Sequence, residues 1–266
     1  MSKIDAALNE LRTLESLALR DTSLARFDPR AKLVATLAFI VAVVSFDPYA
    51  VAALLPLALY PVALAAIGDV PARSLARKLA IATPFAVLVG LANPWLDRAP
   101  VLAIGGFEVA GGWLSFTSIV VRFLLTVAAA LVLVVGTGIV PLCAALGALH
   151  VPKVFTAQLL FLYRYAFVLG GEAARMNTAR ELRSNGRRGS VASYGPLLGH
   201  LLLRAFDRAR RIHLAMRARG FTGEVRSPRP LFWTGRDTLF VLGWCLYFAF
   251  VRAVNLPQAM GQLFGA

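Results

Sequence analysis

Residues 113–135 read WLSFTSIVVRFLLTVAAALVLVV, a run interrupted by a single charge at Arg122. An α-helix needs roughly 20 apolar residues to cross the hydrocarbon core of a bilayer, so this run is long enough to span one. The rest of the chain is similarly apolar: 58% of its 266 residues are hydrophobic, 16% are charged, and its mean hydropathy is +0.68. Soluble domains are nearer about 45–50% apolar and about 25% charged. We therefore predict an all-α polytopic membrane protein.

Four further apolar runs are candidates for crossing the membrane, at residues 31–46, 50–67, 79–96 and 231–251. Asp47-Pro48-Tyr49 separates the first two, which read as a helical hairpin because proline and a charged residue break the helical pattern. The last run is rich in aromatic residues, which concentrate at membrane interfaces. Together with residues 113–135, these runs predict about five transmembrane helices.

The basic residues predict the orientation of these helices. With five spans and a cytoplasmic N-terminus, 24 of the 28 Lys and Arg residues fall in the inner segments 1–32, 69–78 and 137–230. The outer loops, 47–49, 94–112 and 253–266, hold only Arg98. Cytoplasmic loops normally carry such an excess. We therefore expect a multi-pass protein of the cell (inner) membrane, with its N-terminus and residues 137–230 in the cytoplasm.

One alternative topology makes Val154–Gly171 a sixth span. This run is 18 residues long, but Arg164 lies at its centre, and a sixth span would move Arg175–Arg229 to the far side against the charge rule. We therefore divide the chain into three regions. Region 1–136 holds an N-terminal amphipathic helix and four spans, region 137–230 holds long cytoplasmic helices, and region 231–266 holds the last span and the tail. The amphipathic helix is predicted from the helical spacing of Ile4, Leu8, Leu11 and Leu14.

The region 137–230 holds 15 basic and 4 acidic residues, a net charge of +11. Two stretches in it lack proline and contain few glycines, and they predict long helices, Tyr163–Leu182 and Leu197–Ala218. Each contains an acidic residue three positions before an arginine, at Glu172 and Arg175 and at Asp207 and Arg210. This spacing predicts an ion pair within each helix.

An arginine also stands near the end of each predicted helix, at Arg183 and Arg219. One interpretation is local, because a cation there complements the helix dipole and binds the last carbonyl groups. The other is functional: the planar guanidinium group, always charged, suits bidentate docking onto carboxylates of a partner protein.

Four short sequences give the chain a family resemblance. They are Phe27-Asp28-Pro29-Arg30-Ala31-Lys32 before the first span, Arg122 in a late span, Val151-Pro152 ahead of the cytoplasmic helices, and Met216-Arg217-Ala218-Arg219-Gly220-Phe221. With these sequences the chain, over roughly residues 24–254, resembles the transmembrane T component of energy-coupling factor (ECF) transporters. The likeness is greatest to the CbiQ-type subunit of cobalt uptake systems.

The resemblance implies a role for the arginines at the helix ends. In this family two short Ala-Arg-Gly-like motifs end coupling helices that sit on a pair of ABC-type ATPases. Ala218-Arg219-Gly220 matches the second motif unaltered. The first motif departs from the pattern: Leu182-Arg183-Ser184 is our alignment, with Ala179-Arg180-Glu181 as the competing one. The resemblance also implies a separate membrane subunit that captures the substrate, with cobalt, nickel or a vitamin as cargo.

The remaining candidates are weighed from the residues themselves. No lysine directly follows a glycine, so the sequence has no Walker A loop for binding ATP. We therefore predict that this chain is not an enzyme. ATP hydrolysis is expected in partner subunits. His150, His200 and His213 have no ligand-like spacing, so we expect no metal site and no cofactor. Arg122 has a functional and a positional interpretation of equal weight. Asp28 and Arg30 are candidates for a structural role.

Two alternatives come from other functional classes. A self-contained secondary carrier would need acidic residues within the membrane and repeat symmetry, and the five runs show neither clearly. A membrane-anchored nucleic-acid binder would need basic and aromatic residues interleaved, for which Tyr163-Arg164-Tyr165 is the one strong instance. We expect the lipid bilayer, but no nucleic acid, among the partners.

Overall fold

The structure, a computed structural model, describes residues 22–47, 49–96, 100–104, 107–183, 194–223 and 231–254, together with Asn9, Thr13 and Arg20. The chain forms two compact units. Unit 1 comprises Met1–Ser16 and Ile139–Pro230, and unit 2 comprises Leu17–Gly138 and Leu231–Ala266. The predicted amphipathic helix around Ile4, Leu8, Leu11 and Leu14 lies outside the described residues.

Helices dominate both units. Unit 2 begins with a 3-10 turn at Ser23–Arg26 and continues through α1 (Pro29–Val44), α2 (Val51–Leu54), a 3-10 turn at Pro56–Ala58, α3 (Leu59–Ile67), α4 (Ala72–Gly90), α5 (Asn93–Leu96), the antiparallel strands β1 (Pro100–Ile104) and β2 (Phe107–Ala110), and α6 (Gly111–Thr137). Unit 1 holds α7 (Ile139–Ala148), α8 (Lys153–Arg183) and α9 (Tyr194–Ala218), after which α10 (Gly235–Ala253) returns to unit 2.

The first and last long helices of unit 2, α1 and α10, run parallel. Their N-termini meet where the Asp28 N–H donates to Asp237 at 2.8 Å. Halfway along, the rings of Phe39 and Phe248 lie 5.5 Å apart, and at the far end the Arg252 guanidinium sits 5.0 Å from the ring of Phe46. Each contact lies at a similar depth along both helices, so the two start at the same end of the unit.

The other helices of unit 2 alternate in direction. Helix α6 starts beside the C-terminal end of α1, which Arg122 contacts, and ends at Gly136 beside Leu24, which precedes α1. Gly68 after α3 also approaches Leu24, so α2 and α3 return toward the starting end. Gly90 of α4 packs on Phe116 of α6, so α4 leads away again. The described part of the chain thus passes along unit 2 five times, and α6 ends at the same end of unit 2 at which α10 begins.

A cluster of aromatic side chains lies in the otherwise aliphatic core of unit 2. Tyr60 of α3 is fully buried between Phe39 of α1 and Phe248 and Trp244 of α10, with ring centroids 4.7–5.3 Å apart. The Tyr60 hydroxyl shares a 2.8 Å hydrogen bond with the hydroxyl of buried Thr36. A buried phenol needs such a partner, because an unpaired hydroxyl in this environment costs free energy.

Large apolar side chains lie on the outer surface of unit 2, as expected of a surface in contact with a bilayer. On α4, the side chains of Ile81, Phe85 and Leu88 are 67–73% exposed. Among the residues that the structure describes, three helical segments are long and apolar enough to cross a membrane, Ala72–Trp95, Gly111–Thr137 and Lys153–Arg183. The prediction of an all-α polytopic membrane protein is confirmed.

Several boundaries differ from the predicted runs. The run 50–67 is split at Pro56, which cannot donate a helical backbone hydrogen bond. Helix α4 begins at Ala72 rather than Leu79, because a charged first turn does not prevent a helix from forming. The predicted outer loop 94–112 contains the β1–β2 hairpin, which the sequence analysis did not predict.

Candidate functional site

The predicted coupling residues belong to an antiparallel helix pair, α8 and α9. At the end of α8, Arg180 donates to the Tyr194 hydroxyl at 3.1 Å and stacks 4.2 Å from the centre of its ring. Near the start of α8, the ring of Phe161 lies 6.3 Å from that of Phe221, which follows α9. The start of one helix therefore lies beside the end of the other.

Helix α9 ends at a glycine in the left-handed conformation, Gly220, with φ of +79°. The Phe221 N–H donates to the Met216 carbonyl, and the Gly220 N–H donates to the Arg217 carbonyl, both at 3.0 Å. This is the Schellman arrangement, which favours glycine because a Cβ atom is strained at positive φ. Ala218-Arg219-Gly220 is thus a helix stop that leaves the Arg219 side chain exposed at the tip.

Helix α8 ends at Arg183, whose side chain is also exposed. Its neighbour Leu182 is 78% exposed. Arg180 of the competing triplet is instead half-buried against Tyr194. Ser184, the third residue of the aligned triplet, lies outside the described residues.

Arg183 and Arg219 lie at opposite ends of the pair. The 22 helical residues from Phe161 to Arg183 rise about 33 Å at 1.5 Å each. Arg219 stands two residues before Phe221, which packs on Phe161. The two guanidinium groups are therefore about 30 Å apart, which is too far for both to bind one small anion.

Glu172, near the middle of α8, joins the two helices. Its Oε1 accepts from Arg204 and its Oε2 accepts from Arg208, each at 3.1 Å. The predicted ion pair between Glu172 and Arg175 within α8 is therefore wrong, because the sequence spacing takes no account of the neighbouring helix. The predicted pair of Asp207 with Arg210 is likewise not found among the ion pairs of the described residues.

Asp28 and Arg30, from unit 2, form the start of α1. The Asp28 carboxylate accepts from the Arg30 N–H at 2.8 Å, and Pro29 occupies the first helical turn, where a missing N–H costs nothing. Lys32, only 3% exposed, donates to the Leu24 carbonyl at 3.2 Å. The sequence from Phe27 to Lys32 therefore forms the start of α1, which Asp28 caps and which Lys32 ties to the preceding turn through the Leu24 carbonyl.

The sequence analysis missed the partner of this helix start, Asp237. Its Oδ2 accepts from both the N–H and the hydroxyl of Thr234, which closes a capping box on α10, while its Oδ1 accepts from the Asp28 N–H. The pattern Thr234-x-x-Asp237 is a variant of the capping-box signature and would have located the start of α10. No sequence signal shows that Asp237 also accepts a hydrogen bond from the Asp28 N–H.

Arg122 of α6 binds the C-terminal end of α1. It donates to the carbonyls of Phe46 at 2.8 Å and Asp47 at 2.6 Å, to that of Val44 at 3.4 Å, and to the Ser118 hydroxyl at 3.1 Å. These carbonyls lie where a helix end leaves acceptors unpaired. The geometry matches the positional interpretation of Arg122.

Metal-ligating residues are dispersed. Over the part of the chain that the structure describes, no group of three His, Cys, Asp or Glu side chains is arranged to hold a metal ion. His150 follows α7 in the left-handed conformation, with φ of +66°, and the next N–H, of Val151, donates to the Leu146 carbonyl. His150 therefore serves as a helix cap.

Comparison with known proteins identifies relatives. The chain matches the family CbiQ, described as "Cobalt transport protein", over residues 20–230. It is 40% identical over 85 residues to the cobalt transport protein CbiQ of Rhodobacter capsulatus, covering 30% of this chain and 35% of that protein. It is 30% identical over 80 residues to an uncharacterized protein of Methanocaldococcus jannaschii, and this alignment covers 29% of this chain and 30% of that protein.

These two alignments span about a third of the length of each curated relative. The family match is broader: it includes the start of α1, Arg122 and the whole of the α8–α9 pair. On this match over most of its length, the chain belongs to the CbiQ cobalt transport protein family.

Proposed function

We propose that the chain is the membrane coupling subunit of an ECF-type importer. In this role it transmits the motion of two cytoplasmic ABC-type ATPases to a separate membrane subunit that captures the substrate. The observation that carries the proposal is the presentation of two exposed arginines at opposite ends of one helix pair, with Arg219 held there by the Gly220 helix stop.

Two separated arginines suit a dimeric partner. The spacing of about 30 Å matches the scale of two binding grooves on two subunits better than that of one groove. A guanidinium group can bind a carboxylate through two parallel hydrogen bonds, so each tip offers an anchor of defined orientation. At the end of α8, the exposure of Arg183 and the engagement of Arg180 with Tyr194 favour Arg183 as the first anchor.

The topology of unit 2 supports a cytoplasmic location for this pair. Helices α6 and α10 connect to residues 139–230 at the same end of unit 2, so that segment crosses the membrane an even number of times or not at all. Helix α8 is apolar enough to cross, but α9 holds five arginines and is a poor candidate for a span that would return the chain. We propose that residues 139–230 stay in the cytoplasm with the N-terminus.

The cargo in this proposal is cobalt, as the description of the family suggests. Nickel and vitamins are the competing cargoes. A carrier that works alone is less favoured, because the buried carboxylates in the described part of unit 2, Asp28 and Asp237, both cap helices at one end of the unit.

The test is an Arg219→Ala variant, co-expressed with the ATPase and substrate-capture subunits. We expect normal membrane insertion but at least a tenfold loss of ATPase recovery or of ATP-driven cobalt uptake. Arg211→Ala removes an equal charge from an exposed position on the same helix and is the matched control. Unchanged recovery and uptake in Arg219→Ala would refute the proposal. Competition by excess nickel or a vitamin during uptake tests the cargo.

A further inference from the structure

Glu172 is a carboxylate almost removed from solvent in the α8–α9 pair, where the other buried residues are Ala157, Ala174 and Asn177 of α8. It is 7% exposed, whereas no residue of α9 is buried. Along α9, the large apolar side chains Leu198, Leu202 and Phe206 are 56–61% exposed. Apolar burial on the α9 side therefore contributes little to holding the two helices together, and their relative position depends on a few polar and aromatic contacts.

Both ion pairs that join α8 to α9 in the described residues end on Glu172. Arg204 and Arg208 are four residues apart, so they project from the same face of α9, one turn apart. Each binds a different oxygen of the carboxylate. A carboxylate held from two positions along one helix resists both sliding and rotation of α9 against α8, which a single contact would not.

We call Glu172 with its two partners, Arg204 and Arg208, the clamp. The clamp lies near the middle of the α8–α9 pair. Arg183 lies 11 residues beyond Glu172 on α8, and Arg219 lies 11 residues beyond Arg208 on α9, in the opposite direction. Each distance corresponds to about 16 Å of helix. The clamp therefore stands midway between the two exposed arginines.

We propose that Glu172 is a positioning residue for coupling: by fixing α8 to α9 at their midpoint, it makes displacement of one arginine tip move the other. This inference rests on the proposed function. Without the clamp, each tip would still dock through its own arginine, but the motion of one ATPase would be absorbed by slippage between the helices. Glu172 therefore affects the efficiency of coupling and not assembly.

The first experiment measures coupling in the complete complex in proteoliposomes. For Glu172→Gln we expect recovery of the complex and ATP hydrolysis within twofold of the unmodified protein, and at least a fivefold fall in cobalt taken up per ATP hydrolysed. Loss of fold stability alone would lower recovery and both activities together and leave that ratio unchanged. Asp207→Asn, which neutralises an exposed carboxylate on α9, is the matched control.

A charge exchange tests the pairing itself. The triple variant Glu172→Arg with Arg204→Glu and Arg208→Glu recreates two ion pairs of opposite polarity, and we expect it to recover at least half of the coupling ratio that Glu172→Arg loses. If Glu172→Gln is not recovered in membranes, Arg208→Lys replaces it, and a twofold or larger loss of the ratio is expected. An unchanged ratio in whichever variant is measured overturns the inference.

The second experiment does not depend on transport. Spin labels at Leu182→Cys and Thr222→Cys, both exposed and next to the tips, report the tip-to-tip distance after Cys143 and Cys245 are replaced by Ser. We expect one narrow distribution that broadens at least twofold with Glu172→Gln. An unchanged width overturns the inference. The proposed function fails separately, if Arg219→Ala assembles and transports normally.

Discussion

Asp237 caps two helices at once: its carboxylate closes the capping box of α10 and accepts the backbone N–H of Asp28, the N-cap residue of α1. The two parallel helices therefore begin at one shared acceptor. Asp237 is 2% exposed, so removing its carboxylate would leave buried donors without their acceptor, which costs free energy.

Asp237→Ala is expected to destabilise unit 2. Loss of a helix cap costs about 1 kcal/mol and a buried hydrogen bond to a charged group about 1.5–3 kcal/mol, so the sum is about 2–4 kcal/mol. In detergent, the apparent melting temperature should fall by about 5–10 °C. Asp207→Ala, at an exposed site, should change it by less than about 2 °C. Equal melting temperatures for both variants would contradict the shared-cap role.

Arg122→Gln tests whether Arg122 is positional. The variant loses the fork that binds the Phe46 and Asp47 carbonyls, and we expect a loss of about 2–3 kcal/mol, measured by thermal unfolding. Arg122→Lys should lose less, because lysine keeps the charge without the planar fork. Uptake per folded molecule should stay within about threefold of that of the unmodified protein, which corresponds to a change of less than about 0.7 kcal/mol in the free energy barrier of transport. Normal stability with abolished uptake would instead support a direct functional role.

Gly220→Ala tests the helix stop. At φ of +79° an alanine is strained by about 1–2 kcal/mol, so the last turn of α9 should fray and ATPase recovery should fall, although less than with Arg219→Ala. Gly199→Ala is the matched control, because Gly199 lies within α9 with open space around its Cβ position. It should stabilise α9 by about 0.5–1 kcal/mol. If both variants raised stability equally, the Schellman assignment would be wrong.

Leu24 and Gly136 form a close-packed contact that a double-mutant cycle can measure. A Cβ atom at Gly136 would lie 2.6 Å from the Leu24 side chain, which is 1% exposed. Gly136→Ala should cost about 1–3 kcal/mol by overpacking, and Leu24→Ala about 3 kcal/mol by leaving a cavity. In the double variant the added methyl occupies vacated space, so the two costs should fall short of additivity by about 1 kcal/mol. Simple additivity in chemical or thermal unfolding would show that the residues are not in contact.

The sequence predicts most of the helices because their signals are local. The run 113–135 lies within α6, and the stretches 163–182 and 197–218 lie within α8 and α9. Hydrophobic length and the absence of proline are properties of one segment, so no knowledge of neighbouring helices is needed. The β1–β2 hairpin was not predicted, because residues 100–110 lie in a region interpreted as a loop between two spans.

The side-chain partners could not be predicted in the same way. Glu172 has an arginine three positions away in sequence, yet it binds Arg204 and Arg208 on the facing helix. Arg122 is correctly placed in a span, but its acceptors are carbonyls about 75 residues away. Such contacts depend on how helices pack, and a single sequence does not show which helices are neighbours. The roles of Arg183 and Arg219 stay predictions.

The bond between Asp28 and Asp237 also orders events during biosynthesis. It joins residues 209 positions apart, so Asp237 leaves the ribosome long after Asp28. At about 5–20 residues per second, α1 waits on the order of 10–40 seconds before α10 exists. During that interval Phe39 of α1 has no Phe248 ring to pack on, and the Asp28 N–H lacks its acceptor. Helix α1 is thus completed only when α10 arrives, so nascent chains that stop before α10 should be targets for membrane chaperones and proteases.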